Sequence, residues 1–213
     1  MDSSQPRLDR WVGAATAALA RHWLWAVGLA IAIFVGLPVA APVLAQHGYG
    51  QAAGWIYLVY RIACHQLPQR SFFIGGKALT YDWPTVQPYT GLPLDNPYLA
   101  FHHPLGNPVL GYQLALCERD MAIWLALLAT AMWYGWYRAR RERGGRGLTA
   151  PLPFQLYALA MVPIALDGLT QLVGWRESTP LLRVVTGGLF GMATGLLVLP
   201  HLELAFREMA QAE

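Results

Sequence analysis

Four stretches of about twenty residues carry almost no charge, and they set the pattern of the chain. The first runs from about Trp23 to Ala45, with Trp23 and Trp25 at its start and Pro38 and Pro42 near its end. The second covers roughly Leu114 to Tyr137 and closes in an aromatic belt, Trp133-Tyr134-Gly135-Trp136-Tyr137. The third spans about Leu152 to Gly174, and the fourth about Pro180 to Pro200. Each is long enough to cross a hydrocarbon core of about 30 Å at a helical rise of about 1.5 Å per residue. The pattern predicts an all-α polytopic membrane bundle of four transmembrane helices. The first stretch exceeds the apolar core of a signal peptide, about 7–15 residues, and follows a polar leader, so it is expected to be retained.

The segment between the first and second stretches has a different texture. Gly48 to Ala63 is apolar and aromatic but too short to span, which predicts an interfacial helix lying on the bundle. From Tyr81 to Tyr112, prolines at 84, 88, 93, 97, 104 and 108 exclude regular helix and central strand. The aromatics among them point to an ordered cap.

Composition agrees with a membrane location. Hydrophobic residues make up 55% of the chain and charged residues 13%, where soluble domains carry about 25% charged. The net charge of +3 comes from arginine clusters with no nucleic-acid motif beside them, so the expected partner is the lipid bilayer. Arg7, Arg10 and Arg21 precede the first stretch. Arg138, Arg140, Arg141, Arg143 and Arg146 lie between the second and third, and Arg207 follows the fourth. Four crossings place all of these on one side, which the positive-inside rule assigns to the cytoplasm. The expected arrangement is a multi-pass cell-membrane protein with cytoplasmic segments 1–22 and 201–213, a membrane domain over 23–200, and residues 46–113 and 175–179 outside. Gly187, Gly191 and Gly195 share one face of the fourth stretch, as close helix packing requires.

The scarce polar residues then converge on the outer end. They comprise the block Cys64-His65-Gln66-Leu67-Pro68-Gln69-Arg70-Ser71, the block Cys117-Glu118-Arg119-Asp120, the helical pair Asp167 and Gln171, the loop Trp175-Arg176-Glu177-Ser178, and Arg183. A charge inside a span costs about 2.5–3.5 kcal/mol, so such groups turn inward and find partners. Asp167 is therefore either a structural ion pair with Arg183 or Arg119, or a functional carboxylate. Arginines around a buried carboxylate favour a small polar or anionic ligand. The expected ligand-binding set is His65, Gln66, Arg70 and Ser71, with Arg119, Asp120, Asp167 and Gln171, and Arg176, Glu177 and Arg183.

The two cysteines leave three chemistries open. Cys64 and Cys117 can form an extracytoplasmic disulfide worth about 4 kcal/mol in the chain-entropy model. With His65, they can hold zinc or another transition metal, completed by Asp120 or by His102 or His103. They can also pass electrons to a quinone, although no Cys-x-x-Cys pair is present. His102-His103 is expected at the surface, and His22, His47 and His201 near span ends. No phosphate loop, nucleophile elbow, His-Glu-x-x-His helix or dinucleotide fingerprint occurs.

The run Cys64 to Ser71 (Cys-His-Gln-x-Pro-x-Arg-Ser), then Cys117-Glu118-Arg119, Gly174 to Ser178, Arg183 and Thr186-Gly187, resembles an uncharacterised family of bacterial and archaeal integral membrane proteins. The resemblance covers roughly residues 50–200. It implies a small multi-span membrane protein and brings no activity with it. Against that family, 77–112 reads as an insertion, and Asp120-Met121-Ala122-Ile123-Trp124 stands where many members look more like a Cys or Asp, Thr-Gly-Ile-Tyr run, so a second thiol there is missing. Three functions follow as expectations: a binding protein with a polar extracytoplasmic pocket, a thiol- or metal-dependent membrane enzyme, and a structural or assembly subunit. In the last, the aromatic belt would pack on partner helices or on further copies of the chain.

Overall fold

The first apolar stretch forms a helix longer than the stretch itself. In the computed structural model, α1 runs Gln5–Gln46. The structure describes residues 5–145 and 149–211, with the backbone course alone over most of 5–21. The leader expected as a separate segment is thus the first part of α1, because after Pro6, tolerated in a first turn, it is rich in alanine and holds no further proline. Arg7, Arg10, Arg21 and Arg146 lie outside the described side chains. α1 stops at Gly48, whose φ of 85° lets the amides of Gly48 and Tyr49 reach back to Ala45 and Leu44.

Proline shapes the packing as well as the helices. Pro38 has no amide to give Phe34, one turn earlier, and that carbonyl would be orphaned inside the bundle. α2 (Gly50–Tyr60) supplies the missing donor: Tyr60 Oη donates to Phe34 O at 2.7 Å. α2 turns Ala53, Tyr57 and Tyr60 inward and leaves Trp55, Leu58 and Val59 exposed, an apolar exterior suited to a membrane interface. Pro200 similarly frees the carbonyl of Leu196, which accepts from Leu152 N–H at 3.1 Å. Tyr60→Phe is expected to lower stability by about 1–2 kcal/mol, the usual penalty of a buried unpaired carbonyl. Thermal unfolding in mild detergent reads this directly; an unchanged midpoint would show that the carbonyl finds another partner.

The remaining long helices are α4 (Glu118–Arg143), α5 (Phe154–Leu172) and α6 (Pro180–Gln211). α4 and α6 form the most extensive pairing. The glycine face of α6 explains it: a Cβ at Gly187 would lie 2.7 Å from Arg119 O, and one at Gly191 2.1 Å from Ile123 O. Contacts at both ends show that α1, α4, α5 and α6 alternate in direction. Trp23, Arg138 and Glu203 meet at one end, and Glu118, Asp167 and Arg183 gather at the other. Among the described residues two helices, α1 over His22–Gln46 and α6 over Pro180–Met209, are long and apolar enough to cross a membrane by length and composition. Leu29 and Ile33 of α1, Leu159, Leu166 and Leu169 of α5, and Val185 and Met192 of α6 are all exposed, far more apolar surface than water-facing helices carry.

Three expectations are corrected here. The protein is mostly helical but not all-α, because β1 (Ser71–Ile74), β3 (Gly111–Cys117) and β2 (Gly106–Asn107) form an antiparallel sheet in that order. The apolar residues Leu114 to Leu116, read as the start of the second span, belong to central strand β3, and the helix begins at Glu118. A short apolar run fits either element, and here pairing with β1 and packing on α1 decide it. Gly111 and Tyr112 are likewise central strand, three residues beyond the last proline of the cap. The cap is built of 3-10 turns and the four-residue helix α3 (Trp83–Val86), capped by Asp82, around Phe73, Val86 and Leu110.

Candidate functional site

The block Cys64 to Ser71 leaves α2 and crosses the bundle end before entering β1. Its Gln66 is fully buried and sits at φ 54°. The side-chain amide donates to Tyr57 O at 2.8 Å and Ala115 O at 3.2 Å, tying α2 to β3. Gln113 completes the knot, donating to Gln66 O at 2.7 Å and to Ser71 Oγ at 3.1 Å, while Ser71 Oγ donates to Leu67 O. Gln66 and Ser71 are thus placed in an internal network in which the Gln66 Oε1 atom alone is left without a hydrogen-bond partner among the described residues. Gln113, a polar residue inside an apolar strand, is its hub.

The charged residues form a second, denser centre. Asp167, 2% exposed, accepts from Arg119 at 2.5 Å, Arg176 at 2.6 Å and Ser178 Oγ at 2.9 Å. Arg183, 3% exposed, donates to Glu118 at 3.0 Å, Glu177 at 2.9 Å, Ser178 O at 2.6 Å and Gln69 O at 3.3 Å. Glu177 also accepts from Arg70 at 3.0 Å and from Gln171 at 2.8 Å. The sequence places Asp167 opposite Arg183 or Arg119, and the partners are Arg119 and Arg176. Arg70, one of the expected ligand-binding residues, pairs with the more exposed Glu177 and with Tyr98 Oη. Inside this centre Glu118 Oε1, Arg119 Nε, Arg183 Nε and Gln69 Oε1 have no partner.

The cysteines stand beside this centre as free thiols. Cys64 Sγ, Cys117 Sγ and an Asp120 carboxylate oxygen all lie within 4.8 Å of one another. Hydrogen bonding with Cys64, together with burial, pushes the Cys117 thiol well above its ordinary range. His65 does not join them: it is exposed and packs edge-on against Phe101, 4.7 Å between ring centroids. His103 is exposed, whereas His102 is half-buried at φ 58°. Burial and the nearby Arg61 lower the His102 pKa below its ordinary value. Neither histidine lies in the group of sulfur and carboxylate ligands.

Between cap and bundle lies a cleft of about 210 Å³. Tyr81, Asp82 and Trp83 wall it from the cap, Gln69 from the motif, and Glu177 and Arg183 from the α5–α6 connection and α6.

A polar layer at the opposite end was not legible in the sequence. Glu203, 3% exposed, accepts from Trp23 Nε1 at 3.2 Å, Arg138 at 2.6 Å and Arg207 at 2.6 Å. The available signal was a lone acid one turn before Arg207, within an apolar helix.

Residues 108–197 match the family described as Predicted membrane protein (DUF2085). The match covers β3, α4, α5 and most of α6, hence the arginine–carboxylate centre apart from Arg70. An uncharacterised protein of Methanocaldococcus jannaschii is 28% identical over 146 residues, covering 68% of this chain and 67% of that one. No solved structure matches. The resemblance to an uncharacterised membrane-protein family is borne out, and the apolar exterior and the two spanning-length helices agree with a membrane protein.

Proposed function

We propose that the protein crosses the cell membrane four times, with both termini cytoplasmic, and binds a small polar ligand in the extracytoplasmic cleft beneath the cap. The spacing of the polar layers supports four crossings. Arg183 and Glu203 lie twenty residues apart on α6, about 30 Å at helical rise, the thickness of a hydrocarbon core. On α4 no charged residue separates Asp120 from Arg138, which leaves seventeen uncharged positions between the same two layers. α5 connects them in the reverse direction.

The observation that carries the ligand reading is the cleft itself. Three parts of the chain that are distant in sequence converge there on a partly aromatic, partly polar wall. Every arginine of the centre is already held by a carboxylate, and the lining adds Asp82 and Glu177 to a single Arg183. That balance favours a neutral or cationic polar guest over the anionic one.

The test is small-molecule mass spectrometry of the full chain purified in mild detergent, compared with Thr80→Trp, which fills the cleft from the cap side. A polar compound retained by the native chain and lost from the variant is expected; identical extracts would contradict binding in the cleft. The closed pairing of the charged centre favours a second reading, an architectural or assembly role. Identical extracts from two equally stable proteins would favour that reading.

A further inference from the structure

Four carboxylates stand at the outer ends of α4 to α6, and three of them are neutralised. Glu118 is held by Arg183, Asp167 by Arg119 and Arg176, and Glu177 by Arg70 and Arg183. Asp120 has no ion pair among the described residues. Its carboxylate faces sulfur instead: Cys117 Sγ lies 3.1 Å from Asp120 Oδ2, and Cys64 Sγ completes the group within 4.8 Å. Two thiols and a carboxylate at these separations form a mixed sulfur and oxygen donor set.

We propose that Cys64, Cys117 and Asp120 bind a divalent transition-metal ion of the zinc type where the Cys64–Ser71 turn meets the start of α4. The ligands are a pair of soft sulfurs and a carboxylate, the mixture that borderline ions such as zinc accept and that calcium and magnesium do not. Bond lengths of about 2.3 Å to sulfur and about 2.0–2.2 Å to oxygen set ligand separations of roughly 3–4 Å. The observed group needs only a small contraction. The surrounding backbone is arranged to hold the sulfurs. Gln66 N–H and Cys117 N–H donate to Cys64 Sγ at 3.4 and 3.2 Å, and Asp120 N–H donates to Cys117 Sγ at 3.5 Å.

The turn that presents Cys64 is also overdetermined. Gln66 occupies the left-handed region at φ 54°, which favours glycine, and its buried amide is anchored on both Tyr57 and Ala115. Strain held in this manner concentrates at functional sites. Asp120, one of the residues expected to complete the set, lies in the group, whereas the ring of His65 lies outside it on Phe101. Three protein ligands leave a tetrahedral position for water or another polar group. The site is separate from the cleft residues, so its test is independent of the ligand reading.

The experiment titrates cobalt(II) into the full chain, reduced and anaerobic, in mild detergent. Binding should saturate at one equivalent with a near-ultraviolet sulfur-to-cobalt charge-transfer band and the visible bands of tetrahedral cobalt, all bleached by zinc. Cys64→Ser should abolish the tetrahedral signature. Asp120→Cys should keep it and raise the charge-transfer intensity by about half, three sulfurs replacing two. That gain of signal reads the site even where Cys64→Ser fails to fold. The absence of a charge-transfer band in a native chain with two titratable thiols would overturn the proposal. A band unchanged by Asp120→Cys would do the same.

Discussion

Arg183→Leu is expected to destabilise the bundle by about 3–5 kcal/mol, the range for breaking a buried ion pair by removing one partner. The Arg183 and Glu118 side chains are 3% and 1% exposed, so solvent screens the pair very little. The variant strands Glu118 in an apolar setting and also strips donors from Ser178 O and Gln69 O. Its consequence therefore reaches α4, the motif turn and the α5–α6 connection together. The double variant Arg183→Leu, Glu118→Leu should recover a large part of the loss, because a buried pair replaced by apolar residues of similar volume is often close to neutral. Thermal unfolding of the four proteins of this cycle in mild detergent measures the coupling. A double variant as unstable as the sum of the singles would show that the two charges do not act as a pair.

Gly191→Ala carries the other large effect. The added methyl would sit 2.1 Å from Ile123 O, and no side-chain rotation can relieve a clash with backbone. α4 and α6 must move apart, which places the loss at or above the upper end of the usual overpacking range, about 3 kcal/mol. Gly188→Ala is the internal control. It lies three residues earlier on the same helix with nothing within 4 Å of its Cβ, so alanine there should leave the unfolding midpoint unchanged or raise it slightly. Equal behaviour of the two variants would contradict the close packing of α4 on α6.

Much of this arrangement was legible because the membrane imposes long periods on the sequence. The uncharged stretches located the four long helices, and Gly187, Gly191 and Gly195 marked the face that meets α4. Asp167, one acid in an apolar helix, announced a buried partner, and Arg119 was one of the two candidates. What was not legible depended on short runs and on distant pairing. Leu114 to Leu116 fit a helix as well as a strand until β1 is laid beside them. Arg183 has Glu177 six residues before it, but its buried partner Glu118 lies 65 residues away, and Arg70 lies 107 residues from Glu177, so neither of these pairs follows from proximity in sequence. Glu203 has one local partner, Arg207, but the two that make it part of a buried layer, Trp23 and Arg138, come from two other helices. His65 stays outside the sulfur and carboxylate group for a local reason: adjacent side chains diverge, so a turn that buries Cys64 exposes His65.

Sidedness tests the central claim most directly. Lys77→Cys places a thiol in the cap, and Gly144→Cys places one in the arginine-rich connection between α4 and α5. Both positions are exposed, whereas the native Cys64 is buried and Cys117 half-buried. A membrane-impermeant thiol reagent applied to intact cells should label the Lys77→Cys protein at once and the Gly144→Cys protein only after permeabilisation. Labelling of both from the outside, or of the connection alone, would contradict a bundle that crosses four times with its cap and cleft turned outward.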